Sequence, residues 1–308
     1  MTSTSDHVDT ARLQNVPFQT ISEKPGFFRG SGRSIAQVWA HRELLMLLVK
    51  REVRARYKDS SLGLIWSLAR PLIQLLIYYF AIGKVLGAAR STPDYAIFVF
   101  TGLTAWGLFN EIVSATTGSI IGNSGLIKKV YLPREIFPLS AVGSALFNFF
   151  VQSIVLIVGI LVLSHFVWSP QLLLAPFGIL MLLVFSTALG LVLSAVNVYL
   201  RDVQHFVEIA LLVLFWASPV VYPFTFVHRA LHGNILEQLY LWNPVTLAVI
   251  CMQRALWAGG RETEGVHAQY WPNDLGLRTL IALAISLILL WLAQRAFSRL
   301  QGNFAQEI

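Results

Sequence analysis

Apolar residues run in long blocks along this chain, and polar residues gather between them. Six blocks approach the roughly 20 residues that a helix needs to cross ~30 Å of hydrocarbon. They are residues 62–86, 95–113, 136–163, 172–198, 206–223 and 278–297. Each predicts a membrane-spanning helix with soft boundaries. The fifth is the shortest, and Pro219 and Pro223 interrupt its end.

Three further stretches carry a different pattern. In IAQVWAHRELLMLLVKREVRARYK, residues 35–58, apolar side chains recur at three-to-four spacing, and Lys50, Arg51, Arg54 and Lys58 fill much of the remainder. This predicts an amphipathic helix with a basic face, either lying along a membrane surface or packed on the helical bundle. In GNSGLIKKVYLPREIFPLS, residues 122–140, Asn123, Ser124 and Gly125 are turn formers and Pro133 limits the helix after them. One or two helical turns over Leu126, Ile127, Val130 and Tyr131 are expected, serving as a docking knob or as an ordinary basic loop. In residues 235–259 two apolar pieces flank Asn243–Pro244, and neither reaches a full span. Such broken pieces predict a helical hairpin dipping into the outer leaflet, where protein must cover its free backbone groups.

Composition agrees with a membrane protein. Of 308 residues, 56% are hydrophobic and 13% charged, whereas soluble domains carry about 25% charged residues. A chain this poor in charge lacks the polar surface to cover itself in water, so an all-α integral membrane fold is expected. The net charge of +7 is placed as a membrane protein would place it rather than as a nucleic-acid binder would. Basic residues from Arg42 to Lys58 precede the first block, Lys128, Lys129 and Arg134 separate the second and third, and Arg295 and Arg299 end the sixth. The connection SHFVWSPQ between blocks three and four has no Lys or Arg. This bias predicts that both termini are cytoplasmic, with residues 1–34 and 301–308 as tails. Cys251 is the one cysteine, so no intrachain disulfide is expected, and it reads as a small packing residue.

Catalytic patterns are absent from the sequence. It contains no G-x-x-x-x-G-K-[ST], no H-E-x-x-H and no G-x-S-x-G, and Gly83–Lys84 is followed by Val85. The seven histidines are scattered and are expected as loop or interface residues, so neither a metal site nor a catalytic residue is assigned. The acids are dispersed, and the tight pair Glu262 and Glu264 sits in a polar connection. Arg70, Glu111 and Glu208 are the main candidates for buried charge, too few for the midplane relay of an ion-coupled transporter. Trp66, Trp168 and Trp291 fall near block ends, where Trp favours the interface. Tyr78, Tyr79, Trp106, Phe215, Trp216 and Tyr222 lie deeper. Flat rings offer a sliding pyranose broad contact without fixed hydrogen bonds, though the same rings also serve lipid contact and helix packing.

The order of the motifs is informative. A basic amphipathic helix precedes RYKDSSLGLIWSLARPL, followed by FTGLTAWGLFNE, NSGLIKKVYLPREIFPLS, NVYLRDVQHFVEI and LWNPVTLAVICMQRAL. Over about residues 35–300 this resembles the membrane subunit of a type-2 ABC exporter of the polysaccharide class, the family that moves O-antigens, teichoic acids, galactans and related glycans. The resemblance implies a transmembrane domain over 59–300, an interface helix over 35–58 and an outer gate hairpin over 224–258. It implies a coupling helix within 122–135, seated in a groove of an ATPase through Asn123, Leu126, Ile127, Lys128, Lys129, Tyr131, Arg134 and Glu135. Where this chain has Arg70, family members commonly carry a small polar residue, often Asn. Arg70 either snorkels to the inner interface or, with Arg51, Arg54, Arg56 and Lys58, attracts the pyrophosphate of a lipid-linked glycan.

These features together are read as a six-span permease forming a homodimer around one conduit between spans one and five, with Trp66 and the deeper aromatics as its wall. Two separate ATPase subunits would supply the energy and hold ATP and magnesium, leaving this chain without a cofactor and without catalysis. The expected cargo is a polyprenyl-diphosphate-linked polysaccharide, and the expected location is the bacterial cytoplasmic (inner) membrane. Arg outnumbers Lys 17 to 6, which hints at a GC-rich genome and, with the resemblance, at a galactan-type cargo. The alternatives are a type-2 exporter of a drug or lipid, and a membrane enzyme acting on polyprenyl carriers. The missing carboxylate cluster counts against the enzyme.

Overall fold

The computed structural model describes residues 36–57, 65–129, 132–163, 169–258 and 269–307. The described residues are overwhelmingly helical, with no strand among them. A helical turn over 36–40 leads into α1 (Arg42–Tyr57). Helix α2 (Ile65–Tyr78) contains Pro71 and runs on as π-helical turns over Tyr79–Val85. Gly87 then takes a left-handed φ of 79°, a conformation that costs a residue without Cβ little, and reverses the chain into the single turn α3 (Ala88–Ser91). The remaining long helices are α4 (Tyr95–Gly122), α6 (Ile136–Leu163), α7 (Leu174–Tyr199) and α12 (Leu275–Leu300), with the turn α5 (Ser124–Ile127) between α4 and α6. Shorter helices are α8 (Val203–Trp216), α9 (Phe224–Leu231), α10 (Ile235–Leu241), α11 (Pro244–Met252) with π turns over Gln253–Trp257, and α13 (Phe304–Glu307).

Among the described residues four helices, α4, α6, α7 and α12, are long and apolar enough to cross a bilayer, or five spans result if the bent pair α10 and α11 counts as one. Helices α2 and α8, the sequence's first and fifth blocks, are shorter apolar helices. The 14 residues of α8 rise about 21 Å, against ~30 Å of hydrocarbon. The segment after it, from Pro219 to Val221, is tied to the bundle and fixes where α8 stops. The backbone oxygen of Pro219 accepts from Gln253 Nε2 at 2.9 Å, and that of Val221 accepts from the Tyr95 hydroxyl at 2.6 Å. Gly102 lies so close that an added Cβ would meet the Val220 Cα at 3.1 Å.

Helix α4 is the axis of the molecule. Helices α6 and α7 pack along it, α2, α8 and α11 touch it, and α12 packs on α7. Thr101, Thr104, Thr116 and Thr117 on α4 return their hydroxyls to carbonyls one turn back, which satisfies polar groups that have no water to turn to. Small residues set the closest crossings, as expected where packing rather than water exclusion drives association. A Cβ on Gly190 of α7 would stand 2.9 Å from the Thr116 Cβ, and one on Gly178 would stand 2.8 Å from the Cys251 Cβ. Helix α11 is buried from Val245 through Met252. Asn243 caps it by accepting from the Val245 amide at 3.0 Å, and Pro244 begins it.

Among the described residues two apolar cores result. The larger surrounds α4 and α11. The smaller joins Leu48 of α1, Ile127 of α5, Ile136 and Phe137 of α6, residues of α7 such as Leu191, and Phe297 of α12, and Phe304 of α13 closes it. The apolar faces of α6 and α12 are open, with only 17% and 22% of their most hydrophobic windows buried, as for helices whose solvent is lipid. The chain is a multi-pass membrane protein.

Candidate functional site

The amphipathic helix is packed on the bundle. Leu48 is buried, and Gly143 of α6 admits Val49 so closely that a Cβ there would fall 2.6 Å from Val49 Cγ2. Polar contacts fix the register. Arg51 Nη2 donates to Asn123 Oδ1 at 2.6 Å, Ser140 donates to Glu52 at 2.6 Å, and Arg56 pairs with Glu111 of α4. Asn148 of α6 donates to the same Glu111 oxygen at 2.6 Å. Burial pushes the Glu52 carboxyl above its ordinary range, against the opposing pull of the Ser140 hydroxyl, Arg51 and Arg56. Arg54 is exposed; Lys58 lies outside the described residues. Arg70 and Trp66 fall within α2, with side chains outside the described set.

The segment around α5 divides into anchors and presented charges. Asn123 donates to the Ser119 carbonyl at 2.8 Å while accepting from Arg51, and so stitches the end of α4 to α1. Ile127 is buried in the smaller core and Leu126 packs against it. Arg134 lies over the Phe304 ring at 5.7 Å, and Glu135, itself buried, accepts from Ser298 of α12. Lys128 and Lys129 are exposed. Tyr131 lies outside the described residues. The fold thus holds a basic turn outward on a base built from α1, α4, α6, α7, α12 and α13.

Four of the deeper aromatics, Tyr78, Trp106, Phe215 and Trp216, form one connected ladder between α2, α4 and α8. Tyr78 stacks on Phe215 at 5.8 Å, Trp106 meets Phe215 at 5.4 Å, and Phe215 meets Trp216 at 5.3 Å. Trp106 and Phe215 are buried rungs, whereas Trp216 is 51% exposed. Tyr79 is half-buried and meets Phe80, which is 54% exposed and absent from the expected set. Tyr222 stands apart, donating to the Trp216 carbonyl at 2.6 Å and facing the Tyr240 hydroxyl at 3.2 Å.

Glu111 is legible as a rare acid within an apolar helix, but its partners Arg56 and Asn148 are distant in sequence. A second grouping is hidden from the sequence. His228, His232 and Glu237 converge where α9, α10 and the segment before α12 meet, beside a cavity of 440 Å³ that Tyr270 and Arg278 also line. Its faint sequence signal is the four-residue spacing of His228 and His232, one helical turn.

Residues 43–257 match the family described as ABC-2 type transporter. The chain is 30% identical over 278 residues to an O-antigen export system permease protein of Myxococcus xanthus, covering 90% of this chain and 99% of that protein. It is 30% identical to a protein of the same description from Klebsiella pneumoniae, covering 86% of this chain and 94% of that one. A polysialic acid transport protein of Escherichia coli is 24% identical over 79% of this chain and 90% of its own length.

Proposed function

The chain belongs to the ABC-2 type transporter family, and from that membership we propose that it is the permease subunit of an ATP-driven exporter of a lipid-linked polysaccharide. One observation carries the reading. The likeness to an O-antigen export permease runs nearly end to end in both chains, so it extends well beyond any one motif. In this reading the cargo crosses the bacterial cytoplasmic membrane on a polyprenyl-diphosphate carrier. This chain contributes the path, and separate ATPase subunits contribute the hydrolysis.

The geometry supports a division of labour. Lys128 and Lys129 stand outward at a turn whose base rests on five long or interfacial helices, a position from which a push by an ATPase reaches α1, α4 and α6 together. The α2 and α8 helices are short and carry the aromatic ladder, with Leu72, Ile73, Leu76, Leu212 and Val213 exposed beside it. A second copy packing on these faces would complete two spans that are thin alone and enclose a ring-lined path. The α10–α11 pair, bent by 72°, acts as a re-entrant hairpin on the outer side, its inner arm covered by α4, α7 and α12. Basic residues at α1, α5 and the end of α12 favour cytoplasmic termini.

The test is co-purification with the ATPase encoded beside this chain, comparing wild type with Lys128→Glu/Lys129→Glu. A stoichiometric complex that the charge reversal weakens is expected. A complex indifferent to the reversal moves the contact elsewhere, and a well-folded chain that captures no ATPase overturns the reading.

A further inference from the structure

We propose that His228, His232 and Glu237 form a zinc-binding site on the α9–α10 hairpin. The three residues offer two imidazole nitrogens and one carboxylate oxygen, all within 4.8 Å of one another. Tetrahedral zinc, with bonds of about 2.0–2.2 Å, places its ligand atoms about 3.4 Å apart. His228 Nδ1 and Glu237 Oε1 stand at 2.6 Å, so side-chain rotations of about an ångström bring the set to that spacing.

The surroundings are built rather than incidental. Glu237 is only 6% exposed, an uncommon placement for a carboxylate, and its His228 partner is itself mostly enclosed. The His228 ring lies flat on Tyr270 at 3.6 Å with 3° between planes, which holds its orientation as the groups behind a metal ligand do. His232 packs edge-on against His228 at 4.6 Å and remains exposed, so its ring has room to turn and close the set. Two neutral imidazoles and one carboxylate are the donor set that suits zinc, and three protein ligands leave a fourth position open toward the cavity. Arg278 lines that cavity, paired to Asp274 at 2.6 Å and to Gln238 at 2.8 Å, while its Nη1 is buried without a partner. The ligands come from α9, the residue that ends it and α10, so metal would tie the two arms of the hairpin together, beside the Tyr270 ring from the segment before α12. Its outer-side location rests on the topology proposed for the permease; the binding itself does not.

The test uses the full chain, purified in detergent through a tag without histidine and stripped with a chelator. Zinc is titrated against a chromophoric chelator, and cobalt is added separately to read coordination from its visible absorption. One zinc per chain and a tetrahedral cobalt spectrum are expected. His232→Ala, an exposed change that leaves folding intact, should weaken binding at least about 10-fold, since even losing a group that only supports a ligand costs 10–100-fold. His205→Ala, in a histidine–carboxylate pair on α8, should leave it unchanged. No zinc uptake by wild type, or uptake that survives both His232→Ala and His228→Ala, overturns the site and leaves the exporter reading untouched.

Discussion

Arg56 of α1 and Glu111 of α4, 55 positions apart, form an ion pair whose carboxylate oxygen also accepts from Asn148 of α6. Glu111 stands 11 residues before the end of α4 at Gly122, about 16 Å along the helix. An ionisable residue at that depth needs a partner. The amphipathic helix supplies it and is thereby held against two spanning helices.

Removing the guanidinium should therefore cost stability. Arg56→Ala leaves Glu111 with Asn148 alone, and a loss of about 1–3 kcal/mol is expected, between the values for exposed and buried pairs. Glu111→Gln added to Arg56→Ala should recover most of it, read as melting temperature in detergent. Equal melting of the single and double variants would show that the pair carries no coupling.

Glu52 sets a pH dependence. Its carboxyl is raised above 4.5, with burial as the main cause. A raised folded-state value favours the protonated form, so its contribution is full below pH 4.5 and fades as pH rises through the shifted value. Glu52→Gln keeps the acceptor for Ser140 and does not ionise. The variant should melt higher than wild type near pH ~8 and match it toward pH 4.5. A constant difference across that range would remove this account.

Gly143 controls how closely α1 seats. Gly143→Val should destabilise by about 1–3 kcal/mol through overpacking against Val49. It should also weaken ATPase capture although Lys128 and Lys129 are untouched. Val49→Ala combined with Gly143→Ala should restore both. Capture that stays normal in Gly143→Val would separate α1 from docking.

Gly190 and Gly125 should respond in opposite ways. Gly190→Val forces apart α4 and α7 at Thr116 and should lower the melting temperature and the yield. Gly125→Ala meets nothing within 4 Å and should leave folding unchanged while altering ATPase capture. Equal thermal losses in both would contradict the close crossing of α4 and α7.

The sequence gives away α4, α6, α7 and α12 because each is a long apolar run that no soluble helix needs. It does not say which face of each is enclosed. Lipid and protein interior are equally apolar, so Leu103 inside the core and Ile157 open to lipid look alike. The C-terminal end of α8 depends on Gln253, Tyr95 and Gly102, which are distant from it along the chain, and the full enclosure of α11 depends on α4, α7 and α12. Basic residues at α1 are legible as a charged face, yet the division between Arg56, which meets Glu111, and Arg54, which stays exposed, is a matter of three-dimensional register. The aromatic set is legible as rings within spans. That Trp106 and Phe215 are buried rungs while Trp216 and Phe80 are open is decided by neighbours on other helices.

The split of the α5 segment into inward anchors and outward charges separates two histories of mutation. Asn123, Ile127 and Glu135 are answerable to the bundle, and changes there are judged by whether the chain folds. Lys128, Lys129 and Gly125 are exposed, on the face where the proposed function seats an ATPase. If that proposal holds, those positions can drift with a partner's matching surface, so related exporters sharing one cell would each keep to their own ATPase without redesigning a single spanning helix. Transplanting that turn alone should be enough to redirect the pairing.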